Sequence, residues 1–388
     1  MIKKMIKKFI LYINSNLTIL IKRYSERKKF KDPRRKKIYN SVYLDSDSKR
    51  EIDDLYIKNY GKKIPYIWHK HFTAFTGNFD KYYFPELLYI PEFEYFMNLD
   101  RHYCNTLSDK NILPFIASYA NIKMPKTIVS CSANFYRDSN NNPISKEQVK
   151  NILHNVGVCF AKPSVDSCSG EGCRLINFKN GIDINSNENI DTVIKKLGIN
   201  FVIQEKINCS DSIKKIYSKS VNTFRVITFR WKDEILFTPT IMRIGKNGNY
   251  LDNAHAGGIF IAIDNNGILH EKAFTEFKDE YKEHPDSKIV FKNYKIKNFS
   301  KVLNAAKKMH SLIPQIGVVN WDFTIDENET PILLEANLKS GSIWLSQMAH
   351  GKGAFGKITP DILKWIRLMK KTPVNERNKY KYGNYEEK

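Results

Sequence analysis

The stretch from Val318 to Leu338, VVNWDFTIDENETPILLEANL, constrains this chain more than any other. Two apolar runs flank an acidic turn, which predicts two strands joined as a hairpin. Side chains alternate across a strand, so Glu335 and Asn337, two positions apart, share one face. If the strands pair, Asp322 comes to lie beside them. Asp322 sits within WDF and Glu335 follows Ile332, Leu333 and Leu334, a context that predicts burial. Buried carboxylates need a partner or a metal. Three oxygen donors on one sheet face suit Mg²⁺, or Mn²⁺, carrying nucleotide phosphates. The plain alternative is a polar face on a half-solvated strand, and the upstream sequence weighs against it.

Residues 157 to 172 read GVCFAKPSVDSCSGEG. A short apolar strand ends at Lys162-Pro163 and runs into a loop rich in Ser and Gly. Gly170 and Gly172 let backbone approach a phosphate, and successive N–H groups with Ser169 can cradle an anion. Further on, FVIQEKI (Phe201 to Ile207) reads as an apolar strand ending in Gln204-Glu205. Backbone groups of such a strand can pair with an adenine ring, and Glu205 can hold a ribose hydroxyl. Arg225 in TFRVITFRW and Arg243 in EILFTPTIMRI flank a predicted hairpin at Lys232-Asp233. On neighbouring strands the two arginines can aim at one anion, for which a guanidinium fork is suited. Asn222 leads into the first of these strands. Asp252, Asn253 and His255 precede Gly257-Gly258, a loop able to close over substrate.

The order of these parts resembles the ATP-grasp superfamily. QEKI, SVNTFRVITF, MRIG and DNAHAGG, with WDF and LLEANL, are similar to the sugar-transfer-associated ATP-grasp proteins of bacterial polysaccharide gene clusters. The resemblance runs from about Met124 to Leu345 and leaves out the N-terminal quarter. It implies an α+β, ATP-grasp fold: two α/β lobes gripping ATP between antiparallel sheets, with a mostly helical N-terminal extension. It also implies an ATP- and Mg²⁺-dependent ligase that activates a carboxylate as an acyl phosphate and joins it to an amine or hydroxyl. The acceptor it implies is a sugar or polysaccharide precursor. Carried residue by residue, Lys126, Lys162 and the Ser169, Gly170 and Gly172 loop would hold phosphates, and Gln204 and Glu205 the nucleoside. Asp322, Glu335 and Asn337 would hold the metal. Arg225, Arg243 and Lys162 would act in catalysis, and Asn222, Asp252, Asn253 and His255 would meet substrate. A kinase on the same fold, or a basic membrane- or nucleic-acid-binding module with a degenerate nucleotide site, are the other readings. The intact Lys162, Asp322, Glu335 and Asn337 weigh against degeneration, and nucleic acid is not the expected partner.

Charge and length bound the rest. A chain of 388 residues can bury a large core and divide into several parts. We expect a basic amphipathic helix and solvated linker over 1–37, a helical and mixed region over 38–120, the ATP-grasp domain over 121–372 and a polar tail over 373–388. The net charge of +22 favours anionic partners. Six cysteines without a C-x-x-C pair point to free thiols in a reducing cytoplasm. Ile2, Met5, Ile6, Phe9, Ile10 and Ile13 fall on one helical face with lysines on the other. That suits either the surface of an anionic membrane, through residues 1–25, or docking on the body of the protein. The apolar run is too interrupted to span a bilayer. His69 and His71 sit two apart, as on one strand face, with a structural role expected. Asp100 to Leu113 reads as one helix. GKGAFGKIT (Gly351 to Thr359) falls short of a P-loop, because Ile358 stands where a hydroxyl should bind Mg²⁺. DSD at Asp45 to Asp47 reads as a surface turn.

Overall fold

The computed structural model describes residues 2–165 and 171–385, with side chains from residue 10 onward. Two antiparallel sheets of eight described strands each form the frame. The first runs Pro143–Ile144 (β3), Phe135–Arg137 (β2), Thr127–Ser132 (β1), Phe201–Glu205 (β8), Gly157–Pro163 (β4), Arg174–Lys179 (β5), Ile182–Asp183 (β6) and Glu188–Asn189 (β7). Helices Lys146–Leu153 and Ile190–Leu197 cover one face of it. Their starts are written locally. Ser145 and Gln148 form a capping box, and the Asn189 side chain accepts from Thr192 N–H. Cys159 and Ala161 of β4 are buried in that core, so alternation sends Phe160 and Lys162 to the opposite face.

The second sheet runs Glu280–Tyr281 (β14), Leu269–Phe274 (β13), Ile259–Ile263 (β12), Ile241–Ile244 (β11), Thr223–Trp231 (β9), Val318–Ile325 (β15) and Pro331–Asn337 (β16), with Glu234–Phe237 (β10) also paired to β9. Both predicted hairpins are present. Lys232 sits at φ 54° in the β9–β10 turn, and β15 pairs β16 in a register that sets Asp322 opposite Glu335. Helix Phe299–Ser311 packs on this sheet through Phe299, Val302, Ala306 and Met309, with Leu303 partly buried beside them.

The N-terminal third is more tightly integrated than its sequence suggests. Ile2–Lys29 (α1), Pro33–Asn40 (α2), Ser46–Tyr60 (α3) and Ile67–Thr76 (α4) are followed by helical turns over 86–97. The run KKFKDPRRKK, expected as a solvated linker, contains α2 instead. Asp32 caps it, Pro33 occupies its first turn, and Arg35 is buried. Asp100 to Leu113 is not one helix. It splits into Arg101–Leu107 and Leu113–Tyr119, because the Asp109 side chain takes the Asn111 N–H into a turn. His69 and His71 lie on helix α4 rather than a strand, packed among aromatic rings, and burial pushes both well below the usual histidine range. Asp45 is the N-cap of α3, where its carboxylate accepts from Ser48 N–H. The stretch expected as a polar tail is docked: residues 374–383 form a 3₁₀ segment whose Arg377 is buried, bonding Met369 O, Thr372 O and Ser15 Oγ.

Buried polar groups of the 86–97 region reach the strands that matter most. Asn98 donates to Val318 O and Leu338 O and accepts from Gly317 and Val318 N–H. Glu94 accepts from Ser340 and Gly341 N–H, and Glu86 from Ser342 Oγ and the Ile343 and Trp344 N–H groups. The backbone at the start of β15 and after β16 is thereby satisfied and fixed. Five cysteines among the described residues are free thiols. Among the described residues, no helix is long and apolar enough to cross a membrane.

Candidate nucleotide and substrate site

A cavity of about 410 Å³ opens between the two sheets. The first sheet contributes Phe160 and Lys162 from β4, Leu175 from β5 and Gln204 and Glu205 from β8. The second contributes Thr223 and Arg225 from β9, Arg243 from β11, Asp322 from β15 and Glu335 and Asn337 from β16. Residues from Phe160 to Asn337 are thus gathered at one place, because each sheet turns one face of its alternating strands toward the other.

Asp322 is the electrostatic centre. Arg225 Nε donates to its Oδ1 at 2.6 Å and Arg225 Nη2 to Oδ2 at 3.1 Å, while Arg243 Nη2 lies 3.2 Å from Oδ2. Burial opposes its ionisation, but the two guanidinium groups outweigh that and hold the carboxyl far below the usual range. The arginines expected to aim at one anion do so, and in this structure the anion is the protein's own Asp322. Arg243 also donates to Thr223 Oγ1, at 2.9 and 2.6 Å, and Thr223 bonds Asp252. Burial raises the Asp252 pKa, with Arg243 opposing. Asn337 Nδ2 donates to Glu335 Oε1 at 3.1 Å and reaches Asp322 Oδ2 at 3.4 Å. The three positions read from the hairpin therefore touch one another.

Among the described residues, no group of three or more His, Cys, Asp and Glu side chains is placed to hold a metal ion. Two carboxylates and an amide are a smaller donor set, all hard oxygen once the Asn337 amide turns to present Oδ1. Mg²⁺ accepts such a set, because it commonly takes one or two protein carboxylates and completes its shell with phosphate oxygens and water. The residues present fit that ion.

Lys162 is buried, and its Nζ reaches Leu334 O of β16 at 3.4 Å, so it bridges the sheets. Burial lowers its pKa, with the Glu335 carboxylate opposing. Gln204 Nε2 donates to Pro125 O at 3.3 Å. Glu205 is exposed at the rim and pairs with Lys126 at 3.4 Å. Lys126 is not in the cavity wall; it lines a neighbouring hollow with Asn111, Phe115 and Ser130. Gly172 takes φ 73°, and a Cβ there would stand 2.8 Å from the Pro163 ring, so the backbone at Gly172 passes close to the end of β4. Ser169 and Gly170 lie outside the described residues.

Asp252, Asn253 and His255 line the cavity. Asn253 caps a short 3₁₀ turn over Ala254–Ala256, and Gly258 packs so closely that a Cβ would meet Asp252 O at 2.4 Å. His255 Nδ1 lies 2.6 Å from Glu276 Oε2, and Glu276 is in turn held by Arg35 of α2. Asn222 departs from expectation. It is fully buried and absent from the cavity wall; its Oδ1 accepts from Ser220 Oγ and Gly245 N–H, and its Nδ2 donates to Tyr217 O. A short amide beside a strand start satisfies the local backbone first, and burial keeps it away from the cavity.

Several neighbours were not legible in the chain. Lys110, nearly buried, places Nζ 3.6 Å from Glu335 Oε2. Thr223 links Arg243 to Asp252, and the Cys173 thiol stands in the cavity wall beside Lys162. Cys173 directly follows the segment singled out over 157 to 172. For Lys110 there was no local signal, because it arrives from a helix-breaking turn far from the hairpin it meets.

No curated protein matches this chain. Solved structures that align with it include a carboxyaminoimidazole ribonucleotide synthase from Aspergillus clavatus complexed with ATP, 12% identical over 61% of this chain and 46% of that one, with a TM-score of 0.36. An L-amino acid ligase from Bacillus licheniformis is 12% identical over 67% and 48%, TM-score 0.37. A D-Ala:D-Ser ligase from Enterococcus faecalis is 13% identical over 67% and 61%, TM-score 0.39. The chain spans about half the length of the first two. The family model described as sugar-transfer associated ATP-grasp matches residues 91–360, well over half the chain and every site residue named above. The chain belongs to the sugar-transfer associated ATP-grasp family.

Proposed function

We propose that the protein is an ATP-dependent ligase that activates a carboxylate as an acyl phosphate and passes the acyl group to an amine or hydroxyl. The observation that carries this reading is the meeting of Lys162 with Glu335, Asn337, Arg225 and Arg243 around one cavity between two sheets. Lys162 and Lys110 both lie near Glu335, and a polyphosphate chain bound in the cavity would meet these two amines. Gln204 and Glu205 at the end of β8 stand where a nucleoside would lie. Mg²⁺, when bound at Asp322, Glu335 and Asn337, would supply charge neutralisation to the phosphates. A carboxylate oxygen of the acid attacks the γ-phosphorus, the bond to the β-phosphate oxygen breaks and ADP leaves. The acceptor then attacks the acyl carbon, inorganic phosphate leaves and the acceptor proton passes to solvent or to a base. The protein's contribution is positioning and electrostatics. Arg225 and Arg243 are held by Asp322 in a fixed orientation, so their remaining N–H groups meet developing negative charge without reorganising. Asp252, Asn253 and His255 stand on the wall that would meet the acid or acceptor.

We further propose a sugar or polysaccharide precursor as acceptor, in the biosynthesis of a bacterial capsule or cell-surface polysaccharide; the family description, sugar-transfer associated, supports the sugar part of that reading. The proposed place of action is the cytoplasm, at the inner face of the membrane. The first test is melting temperature with and without MgATP for wild type and Lys162→Ala. A shift that needs Mg²⁺ and shrinks in the variant supports the nucleotide site; no shift in wild type refutes it. Trapping with hydroxylamine then separates a ligase from a kinase on the same fold, since a hydroxamate forms from an activated acyl group alone.

A further inference from the structure

Helix α1 carries two opposed faces. One is docked on the body of the protein. Ser15 and Ile19 are buried, and Ser15 Oγ accepts from Arg377 at 2.7 Å and from Tyr95 Oη at 3.2 Å. Arg23 pairs with the buried Glu92 at 2.9 Å, Lys22 stands 3.6 Å from the buried Glu94, and Glu26 is itself buried. These contacts fix the rotation of the helix about its axis. The other face is a stripe at i, i+3, i+4 and i+7 spacing: Ile10, Ile13, Leu17, Leu20, Ile21 and Tyr24. Leu17, Leu20, Ile21 and Tyr24 are 52%, 61%, 60% and 66% exposed, so nothing in the described fold covers them. A soluble body seldom leaves so continuous an apolar strip open to water.

We infer that this stripe is the face by which the protein lies on an anionic lipid bilayer, with α1 in the plane of the interface and its opposite face holding the enzyme body. The charge pattern selects the occupant. Residues 1–31 contain ten lysines and arginines, of which Lys22, Arg23 and Lys29 face acids of the folded protein, against one acid, Glu26, which is buried beside Lys29. An anionic leaflet attracts such a segment while the stripe enters the headgroup boundary. A second copy seated stripe to stripe would bring two strongly basic arms together with no acidic partner between them. The structure turns the two alternatives for this helix, docking and membrane contact, into two faces of one element. The inference extends the proposed location and does not rest on nucleotide chemistry, so it stands or falls apart from MgATP binding.

The test is co-sedimentation of the full chain, without nucleotide, with vesicles of mixed phosphatidylglycerol and phosphatidylcholine and with vesicles of phosphatidylcholine alone, alongside a Leu20→Glu/Ile21→Glu variant. Wild type should bind the anionic vesicles at least about tenfold more tightly than the neutral ones. The variant should lose about tenfold or more of that binding and keep the wild-type melting temperature, as expected of exposed positions. Equal binding by wild type and variant would overturn the inference, since charge alone would then explain it. A melting temperature lowered in the variant, or a concentration-dependent dimer of wild type that the variant disperses, would assign the stripe to protein contact and overturn it as well.

Discussion

The ion-pair cluster at Asp322 makes a quantitative prediction. Asp322→Asn removes the carboxylate that lies within 3.2 Å of both Arg225 and Arg243 and leaves Arg243 with only Asp252, 3.8 Å away, in a largely dry cavity wall. Breaking a buried pair by removing one partner costs about 3–5 kcal/mol. Arg225 keeps 19% of its side chain in water, against 9% for Arg243, so the lower end of that range applies. An unfolding entropy of about 2.1 cal/mol/K per residue gives about 0.8 kcal/mol/K for a chain of 388 residues, so a loss of about 3 kcal/mol lowers Tm by about 4 °C. Glu335→Gln is the control. Glu335 is about a third exposed and lies 3.6 Å from Lys110, and such a pair contributes at most about 1 kcal/mol, near 1 °C. MgATP at 100 times its dissociation constant adds about 2.7 kcal/mol, or some 3 °C on the same scale (~). Differential scanning fluorimetry should therefore show Asp322→Asn melting low with no MgATP response, and Glu335→Gln melting as wild type with no MgATP response. An Asp322→Asn protein that melts within about 1 °C of wild type would refute the view that Asp322 locks the two arginines.

Three further outcomes follow from named contacts. Burial pushes the Glu86 carboxyl up to about 8 from 4.5, so the folded state holds its proton longer than the unfolded chain; stability is full below the unfolded value and is lost as pH rises through about 8. Urea unfolding of wild type should weaken by up to about 1.4 kcal/mol per pH unit across that window relative to Glu86→Gln, and parallel pH profiles would show that the carboxyl ionises freely. Arg35→Ala should destabilise by about 3 kcal/mol, because it leaves the buried Glu276 with His255 in place of its buried guanidinium and removes the cation that lies 4.0 Å over the Trp344 ring; an unchanged melting temperature would remove α2 from any role in holding the His255 loop. The Cys173 thiol, pushed up by burial, should alkylate slowly at neutral pH and faster as pH climbs, with MgATP protecting it in peptide mass mapping. Labelling indifferent to MgATP would place the nucleotide elsewhere.

Much of the site was written in local pattern. E-x-N on a strand after an apolar run, WDF before an acidic turn and Lys at the end of a short strand each carry their meaning within seven residues. A strand's two-residue period tells which side chains share a face before any partner is known. The same holds for the caps at Ser145 and Asn189, which satisfy the first turn of their own helices. Where reading failed, the cause was also specific. The lysine-rich run around Asp32 looked like solvated chain, since nothing local shows that Arg35 would find Glu276 some 240 residues away. Asn222 looked available because it precedes a functional strand, but its amide is consumed by the backbone beside it.

The sequence by itself determined the strands that carry the site, which of their faces bear charge and that the carboxylate beside Trp321 would be buried and need partners; Glu335, expected to be buried as well, stays about a third exposed. Those are consequences of backbone period and of the cost of burying charge, and both act over short stretches. Only the tertiary structure decided who the partners are: that Asp322 takes Arg225 and Arg243, that Lys110 joins Glu335, that Glu86, Glu94 and Asn98 hold the backbone around the hairpin, and that α1 docks by one face and leaves the other bare. Such pairings depend on the packing of two sheets and a helical extension in three dimensions, and no spacing along the chain encodes the distance between them.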